Sequence, residues 1–139
     1  MTRKNINRGS KLETEIGFSR AVRIKDTIAV SGTAPIASDG ATSNAGDVYA
    51  QTMDCLRLSQ EAIEELGGSI GDTIRTRIML TDIENWQEAA RAHGVFFADV
   101  QPACTFVEVK GFIRPDWLVE TEVDAVCSSE ATDTVRNDN

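Results

Sequence analysis

The chain has 139 residues, carries a formal net charge of −8, and is 41% hydrophobic with only 6% aromatic residues. That length fits one domain, and the acidic balance opposes binding to phosphate backbones, so nucleic acid is not an expected partner. No apolar run reaches membrane-spanning length and no signal-peptide-like core opens the chain, so a cytoplasmic protein without membrane contact is expected.

Residues 3–8 alternate weakly and suit a short edge strand; residues 9–16 read as a loop. Phe18, Arg20, Val22 and Ile24 alternate with Ser19, Ala21 and Arg23, which predicts a strand from Phe18 to Ile24. Lys25-Asp26 is a tight polar turn. A second strand follows over Thr27–Thr33, with Ile28 and Val30 on one face and Ala29, Ser31 and Thr33 on the other. Residues 34–46 contain Pro35, Gly40 and Gly46 and read as a loop. Asp47 caps a helix that aligns Tyr49, Met53, Leu56, Ile63 and Leu66 and stops at Gly67-Gly68.

Period two returns over Thr73–Thr81, with Ile74, Thr76, Ile78 and Leu80 on one face and Arg75, Arg77 and Met79 on the other. A second helix is predicted from about Glu84 to Phe97, roughly aligning Trp86, Ala89, Ala90, His93 and Phe97. Pro102 opens a strand to about Phe112, residues 111–116 connect, and Leu118–Cys127 is the last strand. The polar tail 128–139 is expected to be disordered, leaving one domain over residues 1–127. The order β-β-β-α-β-α-β-β predicts an α+β fold, with strand-helix-strand units giving parallel neighbours. Two helices cannot cover both faces of such a sheet, so they pack on one.

The last strand sharpens that argument. Val119, Thr121, Val123 and Ala125 suit a helix-covered core, while Glu120, Glu122 and Asp124 share the opposite face. Carboxylates there need water or partners. If the strand of Arg75 and Arg77 lies alongside, cross-strand ion pairs follow. With Met79 and the apolar residues near Cys104, this mixed face suits a subunit interface better than open solvent.

Cys55, Cys104 and Cys127 show no zinc-type spacing, so reduced thiols are expected and no metal site. His93 is the single histidine, which disfavours histidine-rich metal sites and a Ser-His-Asp triad. Neither GxGxxG nor GxxxxGKS/T occurs, so no nucleotide cofactor is expected.

The runs Gly17-Phe18-Ser19-Arg20-Ala21-Val22, Val30-Ser31-Gly32-Thr33-Ala34-Pro35, Pro102 to Val109 (PACTFVEV) and Leu118 to Val126 (LVETEVDAV) are similar, in order and spacing, to the reactive intermediate deaminase (Rid, or YjgF) family. The likeness spans Phe18 to Val126. It implies a chorismate-mutase-like fold with a six-stranded mixed sheet, and a barrel-shaped homotrimer with sheets inward and helices outward. It also implies small-molecule clefts between subunits, where enamines and imines are hydrolysed to 2-oxo acids and ammonia without a cofactor.

By the same resemblance Glu120 matches the acid that positions water or shuttles a proton; the alternative is an ion pair with Arg75 or Arg77. Gly32 matches the glycine whose N–H meets a ligand carboxylate, unless it is simply required at a strand end. Phe106 matches a position offering backbone groups to the pocket, and Phe18 the place of an aromatic lid or a packing aromatic. The family's arginine, which grips the substrate carboxylate, is replaced by Cys104. A thiol cannot replace that guanidinium, so the anchor must differ. Cys104 either lines the pocket or serves as a nucleophile, with no histidine evidently placed to help it. Arg114 is either the substitute cation or a surface arginine. His93 reads as a helix-face residue.

The leading expectation is a hydrolytic deaminase of a small enamine or imine, with 2-aminomuconate deaminase as a precedent in the broad family. The alternative is a non-catalytic trimer that binds a metabolite or a protein, which the lost arginine favours. Endoribonuclease action stands third, against the −8 charge.

Overall fold

The computed structural model describes residues 2–127; Met1 and the tail 128–139, where disorder is expected, lie outside the described residues. The strands are β1 (Arg3–Ile6), β2 (Ala21–Ile24), β3 (Thr27–Thr33), β4 (Thr73–Leu80), β5 (Ala103–Glu108) and β6 (Val119–Val126). The helices are α1 (Val48–Glu65) and α2 (Trp86–Phe97). Together they form one open six-stranded mixed sheet in the order β1-β2-β3-β6-β4-β5.

Only β4 and β5 pair in parallel; the other neighbours are antiparallel. The expectation of parallel neighbours therefore holds for β4-α2-β5 and is corrected for β3-α1-β4. There β6 sits between the two strands, pairing with both. Its inward residues explain the central place: Val119, Thr121, Val123 and Ala125 are all fully buried.

Asp47 caps α1 by accepting from the Ala50 N–H at 3.0 Å. Gly67, at φ 88°, ends it, and the Gly68 N–H donates back to Ile63 O at 2.9 Å. Both helices lie on one face of the sheet. Leu56, Ile63 and Leu66 of α1 and its C-terminal end join Phe97, Ile28, Val30, Val123 and Ala125 in one core cluster; Cys55, Ala89, Ile78, Leu80 and Val119 form a second. Gln51, fully buried, anchors the long loops to α1: its Nε2 donates to Ser43 O (3.2 Å) and Asp116 O (3.0 Å), and its Oε1 accepts from Leu118 N–H (2.9 Å).

Several local expectations are corrected. First, residues 9–16 are not simply a loop, because a π-helical turn covers Glu13–Gly17. The Glu13 carboxylate accepts from the backbone N–H groups of Arg8, Gly9 and Ser10 at 2.9–3.1 Å, and the Ser10 hydroxyl from Leu12 N–H at 3.1 Å. Those backbone bonds, that of Arg8 first, hold the Glu13 carboxyl below the usual glutamate range. The Ser-x-x-Glu spacing of Ser10 and Glu13 is the sequence signal for such a start. Second, the next strand begins at Ala21 rather than Phe18, because the Phe18 N–H still closes the π turn onto Glu13 O at 3.1 Å.

Third, Thr33 does not share a face with Ala29 and Ser31. The register passes from Val30↔Val123 to Thr33↔Thr121, so Ser31 and Gly32 oppose Glu122 alone. This bulge rotates Thr33 inward, where it is 1% exposed and reaches Ser59 Oγ on α1 at 3.3 Å. Fourth, Ile74 leaves the core. A second irregularity, from Thr73↔Ala125 to Arg75↔Asp124, buries Thr73 and leaves Ile74 53% exposed. The strand expected over 102–112 is confined to β5, and α2 starts at Trp86 after a 3-10 turn over Ile83–Asn85.

Candidate functional site

The sheet registers sort the side chains by face. Ala21, Ile28, Val30, Val123, Ala125, Thr76, Ile78 and Leu80 point toward the helices and are buried. Glu120, Glu122 and Asp124 therefore point to the uncovered face, alongside Arg75, Arg77 and Met79 of β4. The cross-strand pairing expected there is present: Arg77 Nη1 lies 3.3 Å from Glu122 and 3.8 Å from Asp124. With these groups about 40% exposed, such pairs are worth at most about 1 kcal/mol each.

Glu120 differs from its two neighbours. It is half-buried, lies opposite Met79, and has no ion pair within 4 Å among the described residues. On its other side is the β3 bulge. A Cβ built on Gly32 would stand 3.0 Å from Glu120 Oε1, so only glycine admits the carboxylate in this position without displacement. Burial pushes the Glu120 carboxyl above the usual range; Arg20 draws it partly back and Glu122 pushes it further up. A carboxylate tuned upward by partial burial is better suited to take and return a proton than a fully solvated one.

Arg20, just before β2, is the residue that the pattern of alternation did not single out. Its Nη2 donates to Ser31 O at 3.0 Å and to Thr33 Oγ1, and its Nη1 reaches Gly32 O at 3.5 Å. The guanidinium thus grips all three residues of the bulged end of β3.

Cys104 and Phe106 lie elsewhere. Parallel register sets Cys104 beside Thr76 and Phe106 beside Ile78, which puts both side chains on the helix-covered side of the edge strand β5. The Phe106 ring meets Trp86 at 6.2 Å and His93 at 6.4 Å, both on α2, while Cys104 is exposed. His93 stands over the neighbour of Cys104, its Nε2 2.8 Å from Thr76 Oγ1, and burial lowers its pKa. A histidine is thus closer to the Cys104 column than the sequence suggested, although Thr76 engages its ring. Phe18 is 39% exposed beside the π turn. Arg114 lies in the loop before β6, its guanidinium 5.1 Å above the Trp117 ring and 3.5 Å from Thr42 Oγ1.

One chain therefore brings Glu120 and Gly32 together and leaves Cys104 and Phe106 on a separate, free sheet edge. Arg114 is held by Thr42 and Trp117. The groove lined by Arg8, Leu58, Glu61, Glu64 and Glu65 along α1 contains none of these residues. No group of His, Cys, Asp and Glu suited to hold a metal occurs among the described residues. No helix among them is long and apolar enough to cross a membrane.

A family profile described as Endoribonuclease L-PSP matches residues 9–127. The uncharacterized protein SCO2049 of Streptomyces coelicolor is 37% identical over 88% of this chain and 90% of its own. The 3-aminoacrylate deaminase RutC of Acinetobacter baylyi is 28% identical over 72% of this chain and 79% of its own. Among solved structures, Rv2704 of Mycobacterium tuberculosis, described as a YjgF/YER057c/UK114 family member, superposes with a TM-score of 0.80 at 38% identity, over 90% of this chain and 99% of that one. The architecture is the chorismate-mutase-like one that the resemblance implies.

Proposed function

The chain belongs to the endoribonuclease L-PSP (YjgF) family, and from that premise we propose that it is a cofactor-independent hydrolase that releases ammonia from a small enamine or imine. In the reaction, an enamine takes a proton at carbon, or an imine one at nitrogen, to give the iminium, and water adds to its carbon. Glu120 takes the proton that this water sheds and returns it to the nitrogen; the C–N bond then breaks as the carbinol hydroxyl gives its proton to the departing nitrogen, leaving a carbonyl and ammonium. The observation that carries this reading is the placement of Glu120: half-buried, with no ion pair among the described residues, and with its carboxylate set against Gly32. The likeness to a 3-aminoacrylate deaminase supports the reaction class.

The working form is a homotrimer. The uncovered sheet face, which mixes Met79 with the charged residues of β4 and β6, supports it, because such a mixed face suits a subunit interface. Residues 1–127 form its single domain, and the reduced thiols suit a cytoplasmic setting. Cys104, in the place of the family's carboxylate-gripping arginine, leaves a second reading in play: a trimer that binds a metabolite without turning it over. The −8 charge weighs against ribonuclease action.

Ammonia release from a panel of enamines and imines tests this. Wild type should turn over at least one member. Gly32→Ala should keep the fold, since the carboxylate it displaces ends a flexible side chain, yet lower turnover by up to about 10-fold through a small misplacement of Glu120. Saturable binding without release by wild type would favour the binding reading. Activity gained only in Cys104→Arg would show a sound scaffold that natively serves another ligand.

A further inference from the structure

We propose that Arg20 is the positioning residue for Glu120, clamping the β3 bulge that sets Gly32 against the carboxylate and bringing its positive charge to the carbonyl of that glycine. This rests on Glu120 being the working carboxylate.

The geometry has two parts. The clamp is formed by the contacts of one planar group with three successive residues, Ser31 O at 3.0 Å, Gly32 O at 3.5 Å and Thr33 Oγ1. Thr33 carries the link on to Ser59 of α1, so the bulge is tied to the helix layer. A bulge leaves backbone groups out of the regular ladder, and buried carbonyls need donors. Guanidinium meets that need with a rigid fork; an ammonium on a flexible stem cannot span the three acceptors.

The second part is the field. From the residue before β2 the charge acting on Glu120 is Arg20, and from its own strand it is Glu122. From β4 the opposing residue is the uncharged Met79, while Arg77 is committed to Glu122 and Asp124. From α1 comes Cys55, fully buried and held as a neutral thiol, because burial pushes it well above its ordinary range. Arg20 and Glu120 make no ion pair within 4 Å, so the carboxylate is left free to accept a proton while it still feels the opposite charge.

Clamp and field separate experimentally. Carbon-13 NMR titration of the Glu120 carboxyl, its signal identified by loss in Glu120→Gln, reads the field without any substrate. Arg20→Gln should move that titration to higher pH, because the stabilising charge is gone; Arg20→Lys should leave it near wild type. Turnover reads the clamp, and Arg20→Lys should lose about 10²-fold despite its retained charge. If Arg20→Gln does not fold, Arg20→Lys still decides the clamp, through turnover and through faster amide exchange at Gly32. An unmoved Glu120 titration in Arg20→Gln, or wild-type turnover and exchange in Arg20→Lys, would overturn the proposal. The titration and exchange arms stand even if no panel member is turned over, so failure of the deaminase reading and failure of this one are distinguishable.

Discussion

Glu120→Gln is expected to lower turnover by about 10²–10⁴-fold, the usual worth of a positioned acid-base group, while raising the thermal midpoint at neutral pH. The two effects run in opposite directions for one reason. Burial, the largest influence on this carboxyl, raises its pKa in the folded chain above the unfolded value. At neutral pH the folded state therefore bears the cost of an ionised, partly dehydrated carboxylate, and the unfolded state does not. Gln keeps the shape and removes that cost. The sign fixes the pH window: the cost grows as pH rises from the unfolded pKa through the folded one, and it vanishes once both states are protonated. The stabilisation in Glu120→Gln should accordingly be present near neutrality and disappear as pH falls below the ordinary glutamate range. Thermal melts at several pH values, run beside ammonia-release assays, check both halves. A variant that loses activity and melts lower at neutral pH would assign Glu120 to structure instead.

Phe97→Ala is expected to cost about 3–5 kcal/mol, the range for truncating a buried phenylalanine. Phe97 closes α2 and is 2% exposed. Its ring lies 4.5 Å from that of His93 and 6.2 Å from that of Phe96, and it sits in the core with Leu56, Ile63 and Val123. In a chain where aromatics are only 6% of residues, few side chains could collapse into the space left behind. A domain's total stability is about 5–15 kcal/mol, so this one change brings the chain close to unfolding. Denaturant titration at one fixed protomer concentration should show a much lower midpoint with an unchanged slope. A loss below about 1 kcal/mol would mean that the α2 end is not part of the cooperative core.

The element order was readable from the chain because each segment announces its own period, and the two faces of β6 were readable because Val119 to Val126 alternates without interruption. The bulges were not. Thr33 and Ile74 were placed by counting in twos along their own strands, and a bulge breaks that count through pairing with β6, far away in sequence. The place of β6 between β3 and β4 was hidden for the same reason. At the candidate site, Gly32 and Glu120 were singled out through motifs, and the structure sets them side by side. Arg20 was missed because its role depends on acceptors that converge only once the bulge forms. Cys104 and Phe106 were grouped with Glu120 by their positions in motifs, and only register shows their side chains on the other side of the sheet.

The most direct test of the central claim is the time course of ammonia release from an enamine generated in situ, with wild type and with Glu120→Gln, against the spontaneous rate in buffer. Release faster than buffer with wild type, falling back toward the buffer rate with Glu120→Gln, is the predicted result. Acceleration that is equal in both proteins, or absent from wild type across the panel while the protein is folded and trimeric, would contradict a hydrolase that works through Glu120.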